Sequence, residues 1–163
     1  MNPLHLVPND VQPLPVVLYV DDDAGNRQAF QAAFRRHFVV RAASGFDEAW
    51  AWLGRGGVDV VISDQRMPDV TGSELLHLVK ERFPMIKRML MTGYADVSAV
   101  IDAVNRGGVV RYISKPWDPK EVIDAVDEAF AAVRREREQL AWTEQLVESN
   151  RQLEFALRQR LLS

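Results

Sequence analysis

The sequence contains no cysteine and only three histidines among its 163 residues. The lack of cysteine excludes disulfide bonds, thiolate zinc sites and cysteine nucleophiles, and it suits a cytoplasmic protein. No run approaches the roughly 18 apolar residues of a membrane-spanning helix, and the first residues lack the pattern of a secretory signal. The net charge of −3 gives no strong attraction to nucleic acid or to an anionic membrane. We therefore expect a cytoplasmic protein with no nucleic-acid or membrane contact within this chain.

Proline is sparse and unevenly placed. Four of the eight prolines lie within the first 15 residues, where they fix φ and remove hydrogen-bond donors, so we predict an extended or disordered arm over 1–15. The chain is 47% hydrophobic and 26% charged, which is ordinary for a globular protein with a real core. Its length indicates one domain with an extension. We predict the domain over 16–132 and a helical extension over 133–163.

Short apolar runs alternate with segments of helical periodicity. The apolar runs predict five strands, at 16–20, 39–43, 58–63, 86–91 and 109–114. The other segments predict five helices, at 24–38, 45–57, 71–83, 96–108 and from 118 onward. Asp118 is a candidate N-cap of the last helix, with Pro119 at its first position. Apolar strands joined by helices require a parallel sheet covered on both faces. The predicted fold class is therefore α/β, a doubly wound five-stranded parallel sheet with a long C-terminal helix.

Polar side chains follow four of the predicted strands. They are Asp21, Asp22 and Asp23 after strand 1, Asp64 after strand 3, Thr92 after strand 4 and Lys115 after strand 5. The carboxyl ends of parallel strands meet at one edge of the sheet, which is where such folds bind ligands. We therefore expect these side chains to share one pocket.

The residue types in this pocket indicate phosphoryl chemistry. Clustered carboxylates without His or Cys favour Mg²⁺, because carboxylates cannot all stay ionised side by side without a cation. A carboxylate beside Mg²⁺ is a candidate nucleophile toward phosphorus, and Asp64, which stands alone, is the better one. The aspartate triplet is the better metal cradle. Lys115 and the Thr92 hydroxyl supply the cation and the donor that phosphoryl oxygens need.

Each residue also has an ordinary structural interpretation. Three consecutive aspartates are typical of a solvated turn, and Thr-Gly and Lys-Pro are common after strands. A lone aspartate can cap a helix or a loop. The joint occurrence in this order, at the right strand ends, favours the functional interpretation.

The motifs VLYVDDD, DVVISDQRMPDVTG, MTGYAD and RYISKPW together resemble the receiver (CheY-like) domain of two-component response regulators, from about Val16 to about Ala132. The resemblance implies a flavodoxin-like sheet with strand order 2-1-3-4-5. It implies that Asp64 accepts a phosphoryl group from a sensor histidine kinase or phosphotransfer protein. It also implies a Mg²⁺ ion bound by Asp21, Asp22, Asp64 and the backbone carbonyl of Arg66.

The same resemblance implies roles for three further residues. Thr92 matches the switch hydroxyl, and Tyr112 matches the aromatic residue whose rotamer reports the phosphorylated state. Lys115 matches the ion-pairing lysine, with a cis peptide before Pro116. Such a phosphoacceptor takes part in its own phosphorylation and dephosphorylation and is not an enzyme acting on other substrates.

Within the triplet, we expect Asp22 to bind the metal directly and Asp21 through water. We expect Asp23 to favour the dipole of the first helix as much as the ion.

Some residues depart from the commonest family pattern. Asp23 stands where glutamate is more usual, and Gly93 where alanine is commoner. Arg66 and Tyr94 occupy the two positions that often set the autodephosphorylation rate. A long cation and a bulky aromatic there could screen the phosphoryl group from water, so we hypothesise a phosphoaspartate that lasts hours rather than seconds.

The last predicted helix has no clear end. After Pro119 there is no proline or glycine, and strong helix formers dominate. An imperfect heptad seam runs along this helix, with a second apolar stripe at Leu146 and Leu153. The seam positions, seven apart, are Val126, Val133, Leu140, Val147, Glu154 and Leu161, and the partner positions are Ala129, Glu136, Thr143, Asn150 and Leu157. We favour a parallel coiled-coil homodimer, with Asn150 fixing its register. A solvated helix, or one folded back on its own domain, is the alternative.

These inferences predict a phosphorylation-dependent signalling switch. Its C-terminal helix would relay the signal to a dimer or to an output module not contained in this chain. The motifs are similar to those of receivers that precede cyclic-dinucleotide phosphodiesterase, enhancer-binding or kinase modules. The alternative is a receiver-fold scaffold that does not switch, although such members usually lose the phosphoacceptor or the lysine. An aspartyl-phosphate phosphatase would need an acid where Arg66 stands.

Overall fold

A single parallel sheet forms the centre of the computed structural model, which describes residues 12–93, 98, 100, 101, 104, 105, 108, 109 and 111–163. The strand order is β2-β1-β3-β4-β5. The strands are β1 (Val16–Val20), β2 (Val39–Ala43), β3 (Val60–Asp64), β4 (Lys87–Thr92) and β5 (Arg111–Ser114). Every neighbouring pair is parallel. The predicted fold class and strand order are confirmed.

Helices cover both faces of this sheet. They are α1 (Ala24–Phe34), α2 (Phe46–Arg55), α3 (Gly72–Arg82) and the C-terminal helix (Pro119–Leu162). Of the predicted helix over 96–108, positions 98, 100, 101, 104 and 105 are described and helical. The rest of that segment except Gly108, together with Tyr94 and residues 1–11 of the predicted arm, lies outside the described residues.

Successive residues of β1 point alternately into two hydrophobic cores, one on each face of the sheet. Val17 and Tyr19 face α1 and the C-terminal helix, where they join phenylalanines of α1 and apolar residues of the helix in one buried cluster. Leu18 and Val20 face the opposite side and pack with α2 and α3. Because β1 lies between β2 and β3 and is buried from Val17 to Val20, it shows a continuous apolar run, as the strands of a parallel sheet covered on both faces do.

Polar caps fix the helices that begin at the carboxyl edge of the sheet. Asp23 is the N-cap of α1, and its side chain accepts a 2.9 Å hydrogen bond from the Asn26 N–H. Thr71 and Glu74 form a reciprocal capping box at the start of α3. Asp118 caps the C-terminal helix with Pro119 at its first turn, as predicted.

Several predicted element boundaries differ from the structure by a few residues, and two of these differences have an identifiable reason. The first helix ends at Phe34 rather than at residue 38, because the chain turns there so that Phe38 enters the core. The third strand begins at Val60 rather than at residue 58. The preceding Asp59 ties the chain to the start of β1, since its Oδ2 accepts a 2.8 Å hydrogen bond from the Val16 N–H.

The C-terminal helix is 44 residues long and has two different halves. Its buried residues run from Val122 to Val133, whereas every residue from Arg137 to Ser163 is exposed. Two ion pairs mark the transition: Lys87 Nζ lies 2.6 Å from Glu136, and Arg137 Nη2 lies 2.9 Å from Asp59. No helix in the described part of the chain is long and apolar enough to cross a membrane.

Gly72 allows α3 to approach the end of β3 and gives a stability prediction. A Cβ at this position would lie 2.2 Å from the Asp64 carbonyl oxygen, a backbone atom that cannot move aside. We expect Gly72→Ala to lower the free energy of unfolding by about 1–3 kcal/mol in urea titrations. Gly54→Ala in α2 is the matched control, because a Cβ there meets no atom within 4 Å, and it should stabilise by about 0.4–1 kcal/mol. Equal effects of the two substitutions would contradict this account.

Candidate functional site

The carboxyl ends of four strands bring the predicted polar residues to one edge of the sheet. Asp21 and Asp22 directly follow β1, Asp64 ends β3, Thr92 ends β4 and Lys115 directly follows β5. The strand register determines how far along the strand direction each of these residues lies. Asp64 stands beside Met91, the residue before Thr92, and Thr92 stands beside Ser114, the residue before Lys115. The sequence therefore predicted this convergence correctly.

Three of these residues form a cluster of carboxylates. One oxygen each of Asp21, Asp22 and Asp64 lies within 4.8 Å of the others. Asp21 and Asp64 are buried, whereas Asp22 is exposed. A donor set made of carboxylate oxygens, partly open to solvent, fits a hard cation such as Mg²⁺ that keeps several water ligands. Asp22 is the member whose carboxylate is open for direct contact.

One ammonium group bridges the two buried carboxylates. Lys115 Nζ lies 3.0 Å from Asp21 Oδ2 and 3.1 Å from Asp64 Oδ1. The Lys115–Pro116 peptide is cis, as the resemblance implied. Burial alone would lower the pKa of the Lys115 ammonium, but the two carboxylates outweigh it and raise that pKa. Lys115 therefore stays charged and is shared between both acids.

The two buried carboxylates have opposite pKa shifts. Burial raises the pKa of Asp64, and the nearby Asp21 charge raises it further. Lys115 lowers this pKa, but by less than burial and Asp21 raise it. Burial also acts to raise the pKa of Asp21, but the Asp23 N–H, the Tyr19 hydroxyl and Lys115 together lower it below its usual range. Asp21 is therefore the firmly ionised partner, and Asp64 is the more basic and more nucleophilic carboxylate.

Several residues that the sequence analysis did not identify hold Asp21 in place. Tyr19 donates a 2.8 Å hydrogen bond and the Asn26 side-chain amide a 3.1 Å hydrogen bond to Asp21 Oδ2. The Asp23 N–H donates to Asp21 Oδ1 at 2.9 Å, and Arg27 donates to the Asp21 carbonyl at 2.8 Å. The signal for Tyr19 was available, because residues two apart in a strand point to the same side of the sheet. Burial and the adjacent Asp21 charge both raise the pKa of the Tyr19 phenol, so it remains a donor.

Thr92 ends β4, and Tyr112 lies in the neighbouring strand β5, beside Leu90. Thr92 is buried, and its hydroxyl donates a weak 3.4 Å hydrogen bond to the Gly93 carbonyl. The Tyr112 hydroxyl donates to the Thr92 carbonyl at 3.2 Å, and its side chain is half-buried. The predicted switch pair is thus in direct contact.

The segment after Asp64 is held by a residue that the sequence analysis also missed. Gln65 is buried, and its side-chain carbonyl accepts from both the backbone N–H and the hydroxyl of Ser73, each at 2.9 Å. The Gln65 carbonyl accepts from the Gly72 N–H at 3.0 Å. These bonds anchor the start of α3 beside Asp64. Arg66, the residue after Gln65, is exposed.

The raised pKa of Asp64 leads to a pH-dependent stability prediction. At pH 7 without Mg²⁺, burial disfavours the Asp64 charge, so Asp64→Asn should raise the unfolding midpoint by about 2–4 °C. Below the ordinary pKa of aspartate, about 3.9, the carboxyl binds a proton in both the folded and the unfolded chain. The gain should therefore vanish at low pH, grow as the pH rises from about 3.9 to the raised pKa of Asp64, and stay constant above it. Thermal melts across pH test this, with the exposed Asp69→Asn as control. A gain that is independent of pH would contradict it.

Comparisons with known proteins agree with this geometry. Residues 17–127 match the family described as the response regulator receiver domain. The chain is 43% identical over 116 residues to the hydrogenase transcriptional regulatory protein HoxA of Cupriavidus necator, covering 71% of this chain and 24% of that protein. It is 31% identical over 123 residues to the DNA-binding transcriptional regulator NtrC of Proteus hauseri, covering 75% of this chain and 26% of that protein.

A solved structure gives the same result. The signal receiver domain of an HD domain-containing protein from Pseudomonas fluorescens superposes with a TM-score of 0.74 and 32% identity, covering 78% of this chain and 95% of that one. The chain spans about a quarter of the length of the two curated relatives. The family match covers most of the sheet, its helices and the carboxylate edge. This chain belongs to the response regulator receiver domain family.

Proposed function

We propose that this chain is a cytoplasmic phosphorylation switch of a two-component system. Asp64 accepts a phosphoryl group from a sensor histidine kinase or phosphotransfer protein, with Mg²⁺ at the same edge of the sheet. The signal passes through the C-terminal helix to a dimer or to an output module outside this chain. The observation that carries the proposal is the Lys115 ammonium, which lies within 3.1 Å of both buried carboxylates, Asp21 and Asp64.

The chemical step follows from this arrangement. A carboxylate oxygen of Asp64 attacks phosphorus, the bond from phosphorus to the donor's imidazole nitrogen breaks, and that nitrogen leaves with the electron pair. The raised pKa of Asp64 makes its carboxylate a better nucleophile. Lys115 is close enough to follow the charge as it moves from Asp64 to the phosphoryl oxygens. Asp64 is thus the group that is modified, rather than a catalyst that turns over an external substrate.

The carboxylate cluster supports a Mg²⁺ ion in this step. The side chains of Asp21, Asp22 and Asp64 and the backbone carbonyl of Arg66 would hold it. When bound, Mg²⁺ neutralises charge on the carboxylates and on the phosphoryl oxygens. Asp22 would be the direct ligand because it is exposed, whereas the Asp21 oxygens already accept several hydrogen bonds.

The switch itself involves β4. After phosphorylation, the Thr92 hydroxyl would leave its weak bond to the Gly93 carbonyl and donate to a phosphoryl oxygen. Tyr112 donates to the Thr92 carbonyl, so a shift of Thr92 changes the surroundings of the Tyr112 ring. Lys87, at the other end of the same strand, contacts Glu136 of the C-terminal helix. These contacts supply a physical route from Asp64 to the helix.

The exposed half of the C-terminal helix supports dimerisation. The first members of the predicted seam, Val126 and Val133, are buried in the domain and are not free to bind a partner. Three leucines of the exposed half remain: Leu146 and Leu153 of the second stripe and Leu157 of the first seam are 50–60% exposed. At about 100° per residue, these three leucines lie within about 40° of one another, on the opposite side of the helix from Val133. A parallel partner helix could therefore bind them without displacing the domain, with Asn150 in the same seam.

Phosphorylation can be tested by mass spectrometry of the intact chain. Incubation with acetyl phosphate and Mg²⁺ should add the mass of one phosphoryl group, and Asp64→Asn should abolish the addition. The exposed Asp69→Asn is the matched control and should be modified normally. After removal of acetyl phosphate, the adduct should persist for hours if Arg66 and Tyr94 screen it. No added mass on the unaltered chain would overturn the proposal, and loss within seconds would overturn the lifetime hypothesis alone.

Dimerisation can be tested by light scattering with and without beryllofluoride, a phosphoryl mimic. We expect a dimer in at least one of the two states, weakened at least about tenfold by Leu153→Glu, which buries a charge in the seam. Phe155→Glu is the control, because Phe155 is 66% exposed but lies about 160° around the helix from Leu153. A monomer in both states would overturn the dimer proposal.

A further inference from the structure

We propose that Tyr19 is a positioning residue of this site. Its hydroxyl holds the Asp21 carboxylate so that Asp21 contacts Mg²⁺ through water and shares Lys115 with Asp64. The inference rests on the proposed Mg²⁺ and phosphoryl function and names a residue that acts through Asp21.

The Tyr19 ring is fixed before it contributes its hydrogen bond. Tyr19 is fully buried in β1, an interior strand of the sheet. Its ring stacks on Phe30 with centroids 4.1 Å apart and an interplanar angle of 3°, and the Trp117 ring meets it edge-on at 6.4 Å. A ring packed in this way has one available orientation, which directs the hydroxyl along the strand toward Asp21. The 2.8 Å hydrogen bond is therefore preorganised.

This hydrogen bond completes the set around Asp21. Tyr19, Asn26 and Lys115 all donate to Oδ2, at 2.8, 3.1 and 3.0 Å, and the Asp23 N–H donates to Oδ1 at 2.9 Å. An ionised carboxylate offers about four lone-pair sites. Three donors saturate Oδ2 and one occupies Oδ1, which leaves Asp21 about one open site for a metal ion, whereas the exposed Asp22 retains its full capacity.

The hydrogen bond from Tyr19 also affects how the Lys115 ammonium is shared between Asp21 and Asp64. Tyr19 neutralises part of the charge on Asp21 Oδ2, the oxygen that Lys115 also contacts. Without the hydroxyl, Asp21 would attract Lys115 more strongly and withdraw it from Asp64, which lies 3.1 Å away. The less neutralised Asp21 carboxylate would also attract Mg²⁺ more strongly. Removal of one oxygen atom should thus tighten metal binding and slow phosphoryl transfer together.

The test is Tyr19→Phe in the full chain, which keeps the ring and removes only the hydroxyl. Calorimetric titration with Mg²⁺ should give a dissociation constant about threefold to tenfold lower than that of the unaltered chain. Phosphorylation by acetyl phosphate at saturating Mg²⁺ should be slower by a similar factor. In an Asp21→Asn background, Tyr19→Phe should change Mg²⁺ affinity by less than about twofold, because the group through which it acts is gone.

Phe38→Leu serves as the packing control. It removes a buried ring of the same hydrophobic cluster that stacks on Phe34 rather than on Tyr19, so it should lower thermal stability and leave Mg²⁺ affinity within about twofold. An unchanged Mg²⁺ affinity in folded Tyr19→Phe, or an equal effect in the Asp21→Asn background, would overturn this inference alone. Failure of the unaltered chain to bind Mg²⁺ would overturn the proposed function and this inference with it.

Discussion

The contact between one ammonium and two buried carboxylates is the interaction on which the rest of this site depends. Asp21 and Asp64 follow neighbouring parallel strands, so the sheet forces two like charges together. Lys115, carried by the far edge strand, stands between them at 3.0 and 3.1 Å. The pair is not symmetric, because hydrogen bonds from Tyr19 and Asp23 stabilise the charge on Asp21 alone. The result is one firmly ionised carboxylate and one reactive carboxylate.

The surrounding fold holds Asp21, Asp64 and Lys115 in fixed positions at the carboxyl edge of the sheet. Gly72 allows α3 to approach the Asp64 backbone closely, and Gln65 binds Ser73 at the start of that helix. Asp23 caps α1 on the other side. Rigid strands and capped helices thus position the reacting groups, whereas Asp22 and Arg66 remain exposed toward solvent. A preorganised edge with one open side suits the proposed transfer of a phosphoryl group from a second protein.

The sequence was sufficient for the sheet and for the convergence at its carboxyl edge. The alternation of apolar runs and helices admits few topologies, and the residues after each strand follow from topology. The sequence was not sufficient to identify Tyr19 or Gln65 as residues that support the site. A tyrosine within an apolar strand resembles a core residue until the neighbouring ring fixes its hydroxyl, and Gln65 depends on a contact eight residues away. The heptad pattern was also ambiguous, because a single periodicity runs through the packed and the exposed halves of the helix. Only burial separates Val133 from Leu153.

The most direct test of the central claim is the amide NMR spectrum of the chain on addition of beryllofluoride and Mg²⁺. The mimic should bind only where Asp64, Lys115 and the carboxylate cluster act together. The account predicts that the largest shifts fall on residues at the carboxyl ends of β1, β3, β4 and β5 and on Tyr112, and that Asp64→Asn removes them. An unchanged spectrum, or shifts centred on Asp59 at the opposite edge of the sheet, would contradict it.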